Sequence, residues 1–167
     1  MNLNKIEHIR NKLKNKEVSI GCWQQIPHSS ISEILGCSGY DWVAIDLEHG
    51  SISVNQLPDL IRAIELGDSV PLVRISEPTA HNCKRALDAG ASGIIAPMIE
   101  NYNQCKLIRE SVSLPPVGSR GVGFSRACLY GKTFESHKNP ARNPFFVAMI
   151  ESKEGFYNLE SIVSIQE

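Results

Sequence analysis

From Val18 onward the sequence repeats one pattern. Short apolar runs alternate with longer stretches of helical periodicity. The runs are "VSIGCW" (18–23), "DWVAIDL" (41–47), "SVPLVRIS" (69–76), "SGIIAPMI" (92–99) and "FFVAMIE" (145–151). Between them lie "HSSISEILGCSG", with a serine cap and glycine stops, and "SVNQLPDLIRAIELGD". The latter places Leu57, Leu60, Ile61 and Ile64 on one face of a predicted helix over about 53–66, with Pro58 in its first turn. "TAHNCKRALDAG", ending on Gly90, and "NYNQCKLIRESVS" supply two more helices. An opening helix over about 3–15 gathers Leu3, Ile6, Ile9 and Leu13, and a helical tail is expected to run to Glu167. Strands spaced by helices of this length demand parallel pairing with crossover connections, so the fold class is α/β with five βα units.

Two closures satisfy that pattern, a doubly wound sheet and a (β/α)8 barrel. No GxGxxG follows the first strand and no Walker loop is present, so nucleotide-binding versions of the doubly wound sheet have no support. The ends of the runs favour the barrel. Asp46, Glu48, His49, Arg74 and Glu151 all fall at the C-terminal ends of predicted strands, the rim on which barrel enzymes build their sites. Each has a plainer reading. Asp46 can cap the following helix, Glu48 can be a solvated rim acid, and Arg74 can pair with Glu151. Against this, three separate strands deliver acid, base and cation to one rim, and a charge closing a buried strand needs a partner or an anion. Trp23 ends the first strand and reads equally well as core or as a substrate contact. His8, His28, His81 and His137 fall on helices or loops and read as surface residues.

Composition excludes other classes. The 167 residues suit one domain, 1–167, and 17 basic against 18 acidic residues give a net charge of −1, which advertises no nucleic-acid partner. No apolar run approaches a membrane span, and the N-terminus lacks the apolar region of a signal peptide. A cytoplasmic location is the expectation. Five scattered cysteines, none in a CxxC pair, read as free thiols, most of them buried.

Taken in order and spacing, "DWVAIDLEHG", "PLVRIS", "LDAGASGIIAPMIEN", "PPVGSRGVGFSRACLYG" and "VAMIES" resemble the HpcH/HpaI aldolase family, the metal-dependent class II pyruvate aldolases. The resemblance runs from Gly21 to the end. It implies a TIM barrel assembled as a homo-oligomer, usually a hexamer, that reversibly cleaves a 4-hydroxy-2-oxo acid to pyruvate and an aldehyde. Such cleavage needs a base with a pKa near 7 at the C4 hydroxyl, which suits histidine. It also needs fixed positive charge where the enolate oxygen develops. By resemblance His49 is the base, Asp46 its orienting and charge-stabilising partner, and Arg74 the group that stabilises the enolate. Glu151 is a ligand of a divalent metal, Mg²⁺ or Mn²⁺ with Co²⁺ as a further candidate, which chelates the 2-oxo acid and acts as a Lewis acid. Glu48 supports the water around the metal, Trp23 lines the substrate mouth, and Arg120, with Gly121, belongs to a substrate-flanking loop.

Two departures stand out. Met149 occupies a position where the family often carries glutamine. The family's second metal-binding carboxylate, in a G-P-x-D-L segment, is expected beyond "ESIVSIQE", so about five βα units of an incomplete barrel are expected here. Two other readings follow: a non-catalytic remnant or interaction protein of the same family, and a citrate-lyase-β-like protein handling a CoA-thioester enolate. The D-x-E-H motif and the lack of a basic CoA-binding stretch count against the latter.

Overall fold

The computed structural model describes residues 3–137 and 143–165, with side chains from Lys5 onward. The side chain of Leu3 and the last two residues of the expected helical tail therefore lie outside the described residues. Five strands form a single sheet: β1 (Gly21–Gln24), β2 (Trp42–Asp46), β3 (Val70–Arg74), β4 (Gly93–Ala96) and β5 (Phe145–Ala148). Their order in the sheet is β1-β2-β3-β4-β5, and every pair is parallel. Sequential order separates the two closures left open by the sequence. A doubly wound sheet reverses direction partway, whereas a barrel adds each strand beside the last. The sheet is an arc of a barrel.

The crossovers are α2 (Ser29–Cys37), α3 (Leu57–Leu66), α4 (Ala80–Asp88) and α5 (Tyr102–Val112). Their apolar stripes cover one face of the sheet. Val43, Ile45, Val73, Ile94 and Ala96 pack there with Leu57, Ile61, Ile64, Leu87 and Ile108 in the larger core. α2 and α3 approach so closely that a Cβ on Gly36 would stand 2.7 Å from the Ile64 carbonyl oxygen. The opposite, concave face carries alternate residues, as strand periodicity requires. Ala44, Val70, Leu72, Ile95 and Phe145 meet Ile6 and Ile9 of α1 (Leu3–Lys14) in a second, smaller core. α1 thus covers the N-terminal end of the concave face. Lys12 ties it to Asp41 at 2.7 Å, and the Arg10 guanidinium lies 4.6 Å from the Phe145 ring centre. Beyond α1, that face opens into an apolar groove of about 380 Å³ lined by Trp23, Trp42, Val147 and Met149, among others.

Several elements differ from the sequence reading. The strands are shorter than the apolar runs, because the run ends turn out of the sheet. The predicted 53–66 helix begins with a 3₁₀ turn, Val54–Gln56, before α3, where Pro58 occupies the first turn. The Gly/Pro-rich loop after α5 contains a 3₁₀ segment, Arg126–Gly131, and a short helix, α6 (Phe134–His137). The helical tail is two short helices, α7 (Lys153–Tyr157) and α8 (Leu159–Val163), broken at Asn158. His137, expected at the surface, is buried. Of the cysteines, Cys83, Cys105 and Cys128 are buried and Cys37 is exposed. Among the described residues no helix is long and apolar enough to cross a membrane.

Candidate active site

β2 and β3 are neighbours in register, with Asp46 opposite Arg74 at their C-terminal ends. Both point to the concave face, two positions beyond the apolar pair Ala44 and Leu72. Their side chains join in a bidentate pair: Arg74 Nε donates to Asp46 Oδ1 at 2.9 Å and Nη2 to Oδ2 at 2.6 Å. Arg74 is 8% exposed and Asp46 is fully buried, so the fork is rigid and largely dry. On its other flank Arg74 Nη1 lies 3.1 Å from Glu48 Oε2. The Trp23 ring, on β1, stacks against the guanidinium at 4.6 Å.

Asp46 is a hub. Besides Arg74 it accepts from the main-chain N–H groups of Glu48 (3.0 Å) and His49 (3.2 Å), and from Gln25 Nε2 at 2.8 Å. Burial alone would raise its pKa. The hydrogen bonds from Arg74, Gln25, His49 and Glu48 prevail and hold the carboxyl well below the usual carboxylate range. Reciprocally, the hydrogen bond to Asp46 raises the Arg74 pKa against the effect of burial, helped by the charges of Asp46, Glu48 and Glu151.

The loop after β2 is drawn tight over this hub. Gly50 closes it by close approach: a Cβ there would strike the Asp46 carbonyl oxygen and stand 3.2 Å from Gln25 Cα. The loop presents His49 outward, with its side chain 67% exposed and Nε2 3.9 Å from Glu48 Oε2. Asp46 therefore holds the main chain of His49, and the acid facing the imidazole is Glu48. Glu151 lies past β5, where its Oε2 accepts from Met98 N–H at 3.0 Å. Met98 adopts a left-handed φ of 51° just after β4, a conformation uncommon outside glycine and asparagine. The alternative ion pair between Arg74 and Glu151 is not formed directly, since Arg74 is engaged by Asp46 and Glu48.

Trp23, Asp46, Glu48, His49, Arg74 and Glu151 thus gather at one end of the sheet. Arg120 does not join them. It is buried at 6% exposure, with Nη2 3.2 Å from Asp88. Asp88 closes α4, and a helix leading into a strand ends at the strand's N-terminal side, so Arg120 sits at the far end of the sheet. The glycine-rich "GSRGVG" points to a loop at the site, but burial pairs its arginine with the end of a helix instead. Two functional groups escape the sequence reading. Gln25 lies two residues after Trp23 and so shares its face, a period-two signal present in the sequence. The Met98 N–H is a main-chain group and leaves no signal in residue type.

Among the described residues no group of three or more His, Cys, Asp and Glu side chains is arranged to hold a metal ion. Two observations on those residues nevertheless fit a cation. Glu48 Oε2 is buried and, beyond its charge contact with Arg74, takes part in no hydrogen bond. Glu151 commits one carboxylate oxygen to the Met98 N–H and leaves the other available.

A sequentially ordered parallel arc with charged residues at the C-terminal ends of its strands is part of a TIM-barrel type of fold. The chain belongs to the HpcH/HpaI aldolase/citrate lyase family, whose model matches residues 19–167. It is 33% identical over 158 residues to the hydroxypyruvate/pyruvate aldolase of Roseobacter denitrificans, covering 93% of this chain and 62% of that protein. It is 30% identical to the 5-keto-4-deoxy-D-glucarate aldolase of Escherichia coli K12, covering 92% and 60%. Among solved structures, an HpcH/HpaI aldolase/citrate lyase family protein from Burkholderia cenocepacia superimposes with a TM-score of 0.85 at 27% identity, covering 94% of this chain and 64% of that one. The chain spans roughly 60% of the length of the curated relatives it matches, and those relatives are aldolases, carbon–carbon lyases.

Proposed function

We propose that the chain carries the strands and rim residues of an aldolase that reversibly cleaves a 4-hydroxy-2-oxo acid to pyruvate and an aldehyde. The observation that carries this reading is the buried Arg74 fork, aimed by Asp46 and flanked by His49 and Glu48 on one rim. Retro-aldol cleavage takes a proton from the C4 hydroxyl, breaks the C3–C4 bond and leaves the electron pair on the pyruvate enolate. His49 is exposed enough to meet a substrate hydroxyl and is the proton acceptor. Arg74 offers N–H groups beyond those given to Asp46, and its charge stabilises the enolate oxygen. Trp23 covers the guanidinium and keeps water from that face.

Charge balance supports a divalent cation. Three carboxylates, Asp46, Glu48 and Glu151, face one guanidinium, so an anionic 2-oxo acid would enter a site of net negative charge. Glu151 is the residue of this chain that would hold Mg²⁺ or Mn²⁺, with Glu48 accepting from its hydration shell. When bound, such an ion supplies Lewis acidity to the 2-oxo acid. A citrate-lyase-like reading shares the enolate, but the aldolase names of the matched relatives favour the aldolase.

The test is cleavage of 4-hydroxy-2-oxo acids, with pyruvate followed by a coupled dehydrogenase. In the complete barrel, activity with Mg²⁺ or Mn²⁺ that EDTA abolishes is expected. A protein that neither cleaves such acids nor exchanges the methyl protons of pyruvate in D₂O would overturn the reading.

A further inference from the structure

We infer that Gln25 is a positioning residue: by donating to Asp46 Oδ2 it fixes the carboxylate that aims Arg74. What Arg74 does for the reaction rests on the aldolase reading above; the placement of Gln25 does not.

The Asp46 carboxylate has two oxygens with distinct loads. Oδ1 accepts from Arg74 Nε and from the N–H groups of Glu48 and His49, all within 3.2 Å. Among the described residues, Oδ2 accepts from Arg74 Nη2 and Gln25 Nε2. Without Gln25, Oδ2 would be held by Arg74 alone, and the carboxylate could rotate about its Cβ–Cγ bond and take the guanidinium with it. Gln25 is also the polar side chain that the end of the first strand sends to this carboxylate. β1 pairs with β2 only through Gln24, so past that point its end is joined to the rim by Gln25. The Ser51 N–H donates to the Gln25 carbonyl at 3.3 Å, which ties the far end of the same loop to the same residue. Trp23 on β1 and Gln25 just past its end thus grip the ion pair from one side, Trp23 on the guanidinium face and Gln25 on the carboxylate. A carboxylate can only accept, so the amide must present its nitrogen to Asp46, and its orientation is fixed.

The decisive probe is the Arg74 Nε–H resonance of the ¹⁵N-labelled protein, assigned by its loss in Arg74→Lys. Gln25→Met keeps the length of the side chain and removes the donor, while Gln25→Lys keeps a donor. In Gln25→Met the Arg74 Nε–H is expected to exchange with water at least about tenfold faster, roughly 1.4 kcal/mol of lost protection. The pH at which acid breaks the pair should move upward. Gln25→Lys should keep the Nε–H exchange near wild type and, because its charge favours the carboxylate, should move the acid transition downward. In the Asp46→Asn background, Gln25→Met should add nothing further. Equal behaviour of the Met and Lys variants would overturn the assignment, and so would an unchanged Nε–H with a lowered melting temperature, since either makes Gln25 a structural contact only. Pyruvate methyl-proton exchange in D₂O supplies a second readout, with kcat expected to fall in Gln25→Met and KM to hold. A wild-type protein that shows no exchange would overturn the aldolase reading while the resonance still decides Gln25.

Discussion

At the residue scale, Asp46 and His49 stand three positions apart and carry opposite kinds of load. Asp46 is buried and holds Arg74, so Asp46→Ala leaves a guanidinium that is 8% exposed with Glu48 as its remaining acid partner. Breaking a buried pair by removing one partner costs about 3–5 kcal/mol, and a loss of that size is expected in urea denaturation. The His49 side chain is 67% exposed and contributes little packing. His49→Ala should therefore leave the denaturation midpoint unchanged and lower turnover by about 10²- to 10⁴-fold, the usual contribution of a general base. A His49→Ala protein of near-normal turnover would remove the residue from the mechanism. Arg74→Lys keeps the charge and loses the planar fork. It should impair both cleavage and pyruvate proton exchange; loss of cleavage with exchange intact would instead assign Arg74 to the aldehyde end. The acids and bases of this rim are legible in the sequence because a charge that closes a buried strand must be matched by a partner, a ligand or solvent. Their partners are less so. Residue type alone does not tell that Asp46 meets the main chain of His49 rather than its ring.

At the scale of elements, helix starts are more legible than strand ends. Helix starts carry their own chemistry: Thr79, Asn101 and Ser152 each accept a main-chain N–H at the first turn, and such caps are visible in sequence. Strand ends carry no such signal. The run "SGIIAPMI" stays apolar through Ile99, yet β4 stops at Ala96 because the chain turns at Met98 to reach Glu151. The segment after α5 is illegible for a related reason, since consecutive left-handed residues, Leu129 at φ 49° and Tyr130 at φ 55°, fold it where neither is a turn former. Gly50, by contrast, sits in the recognisable "DLEHG" and has a spatial cause. An added methyl collides with main-chain atoms of Asp46 and Gln25, neither of which is a flexible side-chain end. Gly50→Ala is expected to lower stability by about 1–3 kcal/mol, the range for overpacking. Its effect on turnover should be larger than that loss explains, because the loop that moves carries Glu48 and His49. Turnover that tracks the folded fraction alone would show that the loop tolerates displacement.

For the whole molecule, the alternation of runs and helices leaves two closures open; the polar rim favours the barrel, and the sequential strand order decides it. A barrel brings every strand's C-terminal end to one side, so acids and bases from separate strands meet; the observed strand order has that consequence. The asymmetry of the two cores has no counterpart in the sequence pattern. Both faces of β3 are buried, one by crossover helices and the other partly by α1. The same burial sets how stability should depend on pH. Asp46 and Asp41 are both desolvated, but hydrogen bonds prevail, from Arg74 and Gln25 at Asp46 and from Lys12 and Ile20 N–H at Asp41, and both pKa values are lowered. A carboxyl with a depressed folded pKa stabilises the protein above its unfolded pKa, about 3.9 for aspartate, and that contribution is lost as pH falls toward the folded value. Stability should hold from neutrality to about pH 5 and then decline steadily. At the alkaline side burial raises Cys83 from 9.0 to about 11, and it raises Cys22 and Cys105 as well. A buried neutral thiol contributes fully below its unfolded pKa, so a second decline is expected between pH 9.0 and about 11. Arg74, whose pKa the hydrogen bond to Asp46 raises still further, adds nothing in that window. Denaturant midpoints measured across pH give the profile, and two variants separate its limbs. Asp46→Asn should be less stable at neutral pH with a shallower acid limb, and Cys83→Ala should flatten the alkaline limb alone. An acid limb unchanged in Asp46→Asn would mean that the Arg74–Asp46 pair does not govern the acid response, and that Asp41, at the opposite end of β2, does.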